Sequence, residues 1–224
     1  MYMTTRTVPF VETEFYHIFN RGTDKRLLYQ SELDFRNFIE RMYLSNSNES
    51  INVRDIKKLN DSVFDYVRQD SLVAIGAYCL MPNHFHLLVT PLVEGGVTKF
   101  MSKLMTGYSM YFNKKYERTG TLYEGPFKAK HASYDEYLKY LYSYIHLNPA
   151  KLMSETDATN TKEATLDFLR SYKHSSYQDY IGIDREEGKI LNPAPFPDYF
   201  TTSAEHIEQL KTWLEFNPDK INLK

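Results

Sequence analysis

The stretch CLMPNHFHLLVT, residues 79–90, limits the possible folds of this chain more than any other. Two β-rich apolar runs, SLVAIGAYCLM and HFHLLVTP, are separated only by the turn-forming Pro82 and Asn83. That arrangement predicts adjacent antiparallel strands. Side chains at i and i+2 of a strand share a face. His84 and His86 therefore stand side by side, with Phe85 and Leu87 on the opposite face. Two imidazoles held this way can bind one divalent metal or one anion. They can equally be half-buried strand residues satisfied by hydrogen bonds.

Other segments supply the partners of this hairpin. YHIFNRG alternates and ends at Gly22, a strand followed by a turn. SELDFRNFIERMYLS has helical spacing behind Ser31 as a candidate N-cap. Residues 45–70 are polar and read as a surface insertion carrying a short helix. GGVTKFMSKLMTGYSMYFNKKY is an amphipathic helix, with apolar residues at 97, 100, 101, 104, 105, 108 and 112. RTGTLYEGPFKAKHA is a loop leading into a short strand. SYDEYLKYLYSYIHLN is a helix capped by Ser133, and Pro149 predicts its end near Asn148. Short helices and a proline-punctuated loop, LNPAPFPDYF, follow before a last helix in SAEHIEQLKTWLEF. The order strand, helix, two strands, helix, strand, helix predicts an α+β fold, with helices packed on an antiparallel sheet and a C-terminal helical extension.

Composition excludes several alternatives. A single cysteine, Cys79, rules out an intrachain disulfide and a cysteine-cluster zinc site. No apolar run approaches the roughly 20 residues needed to span a bilayer. The N-terminal MYMTTRTVPFVETEF lacks the apolar core of a signal peptide, so a cytoplasmic protein without a membrane partner is expected. The formal net charge of −2 is unevenly spread: residues 99–151 carry nine Lys or Arg against four Asp or Glu. A basic segment inside an acidic chain is compatible with phosphate contacts, and also with an ordinary mixed-charge surface.

The helix over 133–148 carries tyrosines at 134, 137, 140, 142 and 144. Tyr137, Tyr140, Tyr144 and Asn148 fall along one helix face. For Tyr137 and Tyr140 the spacing favours an aromatic core stripe, and a terminal Asn can be a simple C-cap.

Taken together, MPNHFHLL, YFNKKYERTGTLYEGPFKAKH and YLYSYIHLNPAK resemble the signature blocks of the single-tyrosine HUH transposases, in particular the REP-associated tyrosine transposases. YHIFNRG resembles the first-strand block and YKHSSYQDY a downstream one, so the resemblance extends over residues 13–180. It implies a ferredoxin- or RRM-like HUH domain in residues 1–150, with 45–70 as an insertion and 151–224 as the helical extension. His84 and His86 match the family's metal-binding histidines. Its nucleophilic tyrosine lies four residues before a Gln or Asn that completes the metal site, a pattern met by Tyr144 and Asn148. Tyr140 and Tyr142 have Tyr144 and His146 at that distance instead.

The implied activity is cleavage and rejoining of single-stranded, hairpin-containing DNA through a 5′-phosphotyrosine, with Mg²⁺ or Mn²⁺. Arg21, Arg118, Lys128 and Lys130 are candidate DNA contacts. The family's usual Trp-Glu-Gly-Arg block reads YEGPF here; Tyr123 is a mild change, whereas Pro126 removes a cation. Family members occur as homodimers, while the C-terminal extension could favour a monomer. Two other readings fit the residues. One is a single-stranded nucleic-acid-binding module without catalysis. The other is a metal-dependent hydrolase that recruits His131 or His146 as a further ligand.

Overall fold

The computed structural model describes residues 9–50, 52–153 and 161–216. The hairpin forms as its sequence predicts, with β2 (Val73–Met81) antiparallel to β3 (His84–Pro91). β1 (Tyr16–Arg21) pairs with the other side of β3, and the short β4 (Lys128–His131) pairs with β1. The sheet is therefore four-stranded and antiparallel, in the order β2-β3-β1-β4. A register shift between Ile75 and Ala77 marks a bulge at Gly76. A Cβ at Gly76 would come within 2.9 Å of both Phe196 and the Tyr142 hydroxyl, so the bulge permits a close approach that no other residue allows.

Strand alternation divides the core into two layers. Ile18, Tyr78, Leu80, Phe85, Leu87 and Val89 meet α1 (Glu32–Ser45) and α3 (Gly96–Lys115) on one face. Ala77, Cys79, Met81 and Leu88 meet Leu138, Leu141, Tyr142 and Ile145 of α4 (Asp135–Leu147) on the other. Ser31 occupies the N-cap of α1, and the Asp34 carboxylate accepts from the Gln30 and Ser31 amides. That reciprocal capping defines where α1 starts.

Two local expectations need correction, at Ser133 and in residues 45–70. Ser133 does not cap α4: the N-cap is Tyr134, which makes no side-chain capping bond, while Asp135 and Glu136 in the first turn favour the helix dipole. The end expected near Asn148 is where α4 stops, at Leu147 with Asn148 as its C-cap. Asn148 keeps αR dihedrals, and Pro149 starts a 3₁₀ turn, Asn148–Leu152, where its missing N–H costs nothing.

The second correction concerns residues 45–70, which do carry a short helix, α2 (Val53–Leu59), but begin inside the protein. Asn46 is buried, and its Oδ1 accepts from the Leu72 and Val73 amides at 2.9 and 3.0 Å. Its Nδ2 donates to the Val73 carbonyl at 2.8 Å.

Beyond α4 lie α5 (Lys162–Ser171), α6 (Tyr177–Tyr180) and α7 (Ser203–Phe216). This region closes the outer edge of β2. The Leu80 amide donates to the His174 carbonyl, the Ser176 amide to the Tyr78 carbonyl, and the Asn192 amide to the Ile75 carbonyl. The first eight residues of the N-terminal stretch considered above lie outside the described residues.

Candidate active site

Register, which no single strand reveals, assembles the site. Phe19 of β1 stands opposite His86 on one side and Lys128 on the other. His17 stands opposite Leu88 and Lys130, and Arg21 opposite His84. One sheet face thus carries His84, His86, His17, Phe19, Arg21, Lys128 and Lys130. α4 crosses this face. Its stripe of Leu138, Leu141 and Ile145 is buried against the sheet, which turns Tyr137, Tyr140 and Tyr144 towards the β1–β4 side.

The two predicted histidines are perpendicular, with ring centroids 5.0 Å apart. His86 Nδ1 lies 2.9 Å from His17 Nε2, and His84 Nδ1 lies 2.6 Å from Asn83 Oδ1. Each ring keeps its Nε2 free of protein hydrogen bonds among the described residues. Burial depresses all three imidazole pKa values. His84 falls to about 4, with Lys151 and Arg21 adding to the effect, and His86 falls well below its usual value. His17 falls to about 3, through burial and then Lys130. All three rings are therefore neutral at physiological pH.

The Tyr144 ring sits edge-on to both His86 and His17, with centroids 5.4 and 5.6 Å away. Its phenol is half-buried, and burial raises its pKa despite an opposing hydrogen bond with the Asn148 side chain. Asn148 Nδ2 donates to the Tyr144 carbonyl at 2.7 Å, and Asn148 Oδ1 accepts from Lys151 Nζ at 3.2 Å. The 3₁₀ turn brings Lys151 back to the site, where its ammonium lies 5.3 Å from the Tyr144 ring centre. Burial lowers the Lys151 pKa.

The competing tyrosines are placed differently. Tyr142 points to the opposite side of α4, among Tyr180, Phe196, Tyr199 and Phe200. Tyr140 contacts Tyr137, Tyr144 and Trp213 but neither histidine of the pair. Tyr137 and Tyr140 are not core residues as their spacing suggested. Both are half-buried and line a cleft of about 210 Å³ with His17, Phe19, His86, Lys130, Leu141 and Tyr144.

Of the four cations singled out, Arg21, Lys128 and Lys130 lie on the site face, Arg21 in an ion pair with Glu124. Arg118 does not join them. It follows the end of α3, bonds Asn113 Oδ1 at 3.1 Å and lies over Phe112 of the opposite layer. His131 and His146 are also apart from the pair. His131 shares a register position with Tyr16 and bonds Glu14, while buried His146 bonds Ser176 and His206. Among the described residues no group of three or more His, Cys, Asp or Glu side chains converges to hold a metal.

Sequence reading missed His17 and Lys151. The alternation in YHIFNRG already put His17, Phe19 and Arg21 on one strand face. Only the pairing of β1 with β3 shows that this is the His84–His86 face.

No helix among the described residues is long and apolar enough to cross a membrane. No curated protein matches the chain. Among solved structures, a REP-associated tyrosine transposase bound to a REP hairpin aligns with a TM-score of 0.50 at 10% identity, covering 83% of this chain and 90% of that one. At that identity the likeness concerns the fold. Residues 39–148, from the middle of α1 through Asn148, match the model of the IS200-like transposases. The matched span, just under half of the chain, contains the histidine pair and Tyr144 but not β1 with His17, and over it the chain is similar to the IS200-like transposases.

Proposed function

We propose that this protein cleaves and rejoins single-stranded DNA, with Tyr144 as the nucleophile. The observation that carries the reading is the Tyr144 ring held edge-on against His86 and His17, with the Asn148 side chain the one hydrogen-bond partner of its hydroxyl among the described residues. In this reaction the phenolic oxygen attacks the scissile phosphorus and loses its proton. The bond to the 3′ oxygen breaks, and that oxygen takes up a proton to become a 3′-hydroxyl. The product is a 5′-phosphotyrosine. Because a phosphodiester replaces a phosphodiester, another 3′-hydroxyl can reverse the attack and join strands without ATP.

The donor chemistry fits a divalent ion. His84 and His86 are neutral, and each anchors its Nδ1 on the protein while presenting Nε2. Asn148 Oδ1 is the oxygen donor that would complete the set. Nitrogen and oxygen donors together suit Mn²⁺, whereas Mg²⁺ prefers oxygen and retains waters. When bound, such an ion polarises a nonbridging phosphate oxygen. His17 fixes the orientation of His86, as a second-layer partner does for a ligating imidazole. Lys151 supplies positive charge beside the attacked phosphate, and Lys128, Lys130 and Arg21 line the approach of the strand. On this reading residues 1–150 form the catalytic unit with 45–70 as its insertion, and 151–224 form an extension that adds Lys151 to the site.

The test is a denaturing gel of the protein incubated with labelled hairpin-bearing single-stranded DNA and Mn²⁺. A shifted adduct lost with EDTA and with Tyr144→Phe is expected. Cleavage without an adduct supports a hydrolase instead, and binding without cleavage across several hairpins supports a non-catalytic binding module.

A further inference from the structure

The cleft beside Tyr144 has chemistry that the transfer reaction does not use. Phe19, Tyr137, Tyr140 and Leu141 line it together with His17, His86 and Tyr144. Its one charged lining group is Lys130, exposed and without an ion-pair or hydrogen-bond partner among the described residues. No carboxylate lines it. The hydroxyls of Tyr137 and Tyr140 also have no hydrogen-bond partner among the described residues, unlike those of Tyr172, Tyr180 and Tyr199. Trp213 of α7 packs against Tyr140, with 4.7 Å between ring centres.

An aromatic-walled cleft of about 210 Å³ with free phenolic hydroxyls and one unpaired cation has the size and polarity for a single heterocyclic base with its phosphate. We infer that this cleft takes the unstacked nucleobase adjoining the phosphate that Tyr144 attacks. Tyr137 and Tyr140 provide the stacking wall, and Lys130 holds a backbone phosphate. The inference rests on the proposed function for the position of the scissile phosphate, and it adds a binding element that the reaction itself does not require. Stacking on an aromatic face tolerates any base, so the cleft contributes affinity without dictating sequence. Because Tyr137, Tyr140 and Tyr144 share one helix face, capture of the base and placement of the phosphate are mechanically linked.

The test compares a fluorescein-labelled thymidine dodecamer with an abasic dodecamer of the same backbone, read by fluorescence polarisation on the full chain without metal. Wild type is expected to bind the thymidine strand about tenfold more tightly than the abasic one. Tyr137→Ala/Tyr140→Ala is expected to abolish that preference and leave abasic affinity unchanged, whereas Tyr137→Phe/Tyr140→Phe, which keeps both rings, retains it. Quenching of the emission of Trp213, the sole tryptophan, by the thymidine strand and not by the abasic strand reports the same event without any substitution.

Equal binding of the two strands by wild type, no binding at all, or an undiminished preference in the alanine variant overturns the inference. The phosphotyrosine gel separates the two failures. An adduct formed without base preference refutes only the cleft, and base preference without an adduct refutes only the nuclease reading.

Discussion

Replacing His17 with Phe tests how much the metal-binding geometry depends on a residue outside the donor set. The ring volume and the contacts with Phe19 and Tyr144 are largely kept, while the acceptor 2.9 Å from His86 Nδ1 is lost. His86 is buried, so an unpartnered Nδ1–H costs about 1–3 kcal/mol. The neutral ring has an escape, which is to carry its proton on Nε2. That nitrogen is the one a metal needs, so binding must then drive the proton back and meet the same cost. A free energy of 1–3 kcal/mol corresponds to roughly 5- to 150-fold in affinity, consistent with the 10- to 100-fold usual for partners of ligating histidines.

Mn²⁺ titration followed by electron paramagnetic resonance measures this directly, without DNA or turnover. His17→Phe is expected to weaken binding by about 10- to 100-fold. His17→Gln, whose amide reaches the place of Nε2, is expected to recover most of the loss. If His84→Ala abolishes binding while His17→Phe binds as wild type does, the positioning argument is wrong.

Asn46→Ala is expected to cost about 2–5 kcal/mol, because it strands two buried backbone amides and a carbonyl at the start of β2. At about 2–4 °C per kcal/mol for a chain of this size, calorimetry should record a fall in Tm of roughly 4–20 °C, and an unchanged Tm refutes the role. Acid should destabilise the fold as well. His17, His84 and His206 have native pKa values of about 3, 4 and 4 against 6.5 unfolded, and His86 and His146 are depressed too. Below pH 6.5 the unfolded chain binds the extra protons, so stability is complete above that pH and is lost as pH falls towards 4. Urea midpoints that stay flat from pH 7 to about 5 would contradict this linkage.

The hairpin and the two amphipathic helices were legible because each rests on local periodicity, whereas Tyr144 and Asn148 stand out only through the family pattern they resemble. What was illegible depends on relations between distant segments. His17 joined the site only once register put Phe19 against His86. Tyr137 and Tyr140 have the spacing of a core stripe, yet the buried arc of α4 is the neighbouring one through Leu138, Leu141 and Ile145. A polar run such as SNSNES reads as surface, and an Asn that replaces a missing backbone partner looks the same in sequence as one that faces water. Lys151 lies beyond the helix end that Pro149 marks, in a 3₁₀ turn whose return to the site no spacing reveals. Arg118 was likewise beyond local reading, since nothing in its family block shows that it lies beside Asn113 and Phe112 on the opposite layer.

The closure of β2 by residues 174–192 has a consequence for how the chain acquires its shape during synthesis. VAIGAYCLM is apolar, free of charge and β-rich, and its outer amides and carbonyls are met by His174, Ser176 and Asn192. Those partners leave the ribosome about 100 residues after β2, an interval of roughly 5–20 s at ordinary elongation rates. Throughout that time the nascent sheet presents an open, sticky edge of the kind that recruits other chains. A ribosome stalled between β4 and α6 would therefore display the molecule at its most aggregation-prone, with the histidine pair already formed and the edge beside it still unsealed.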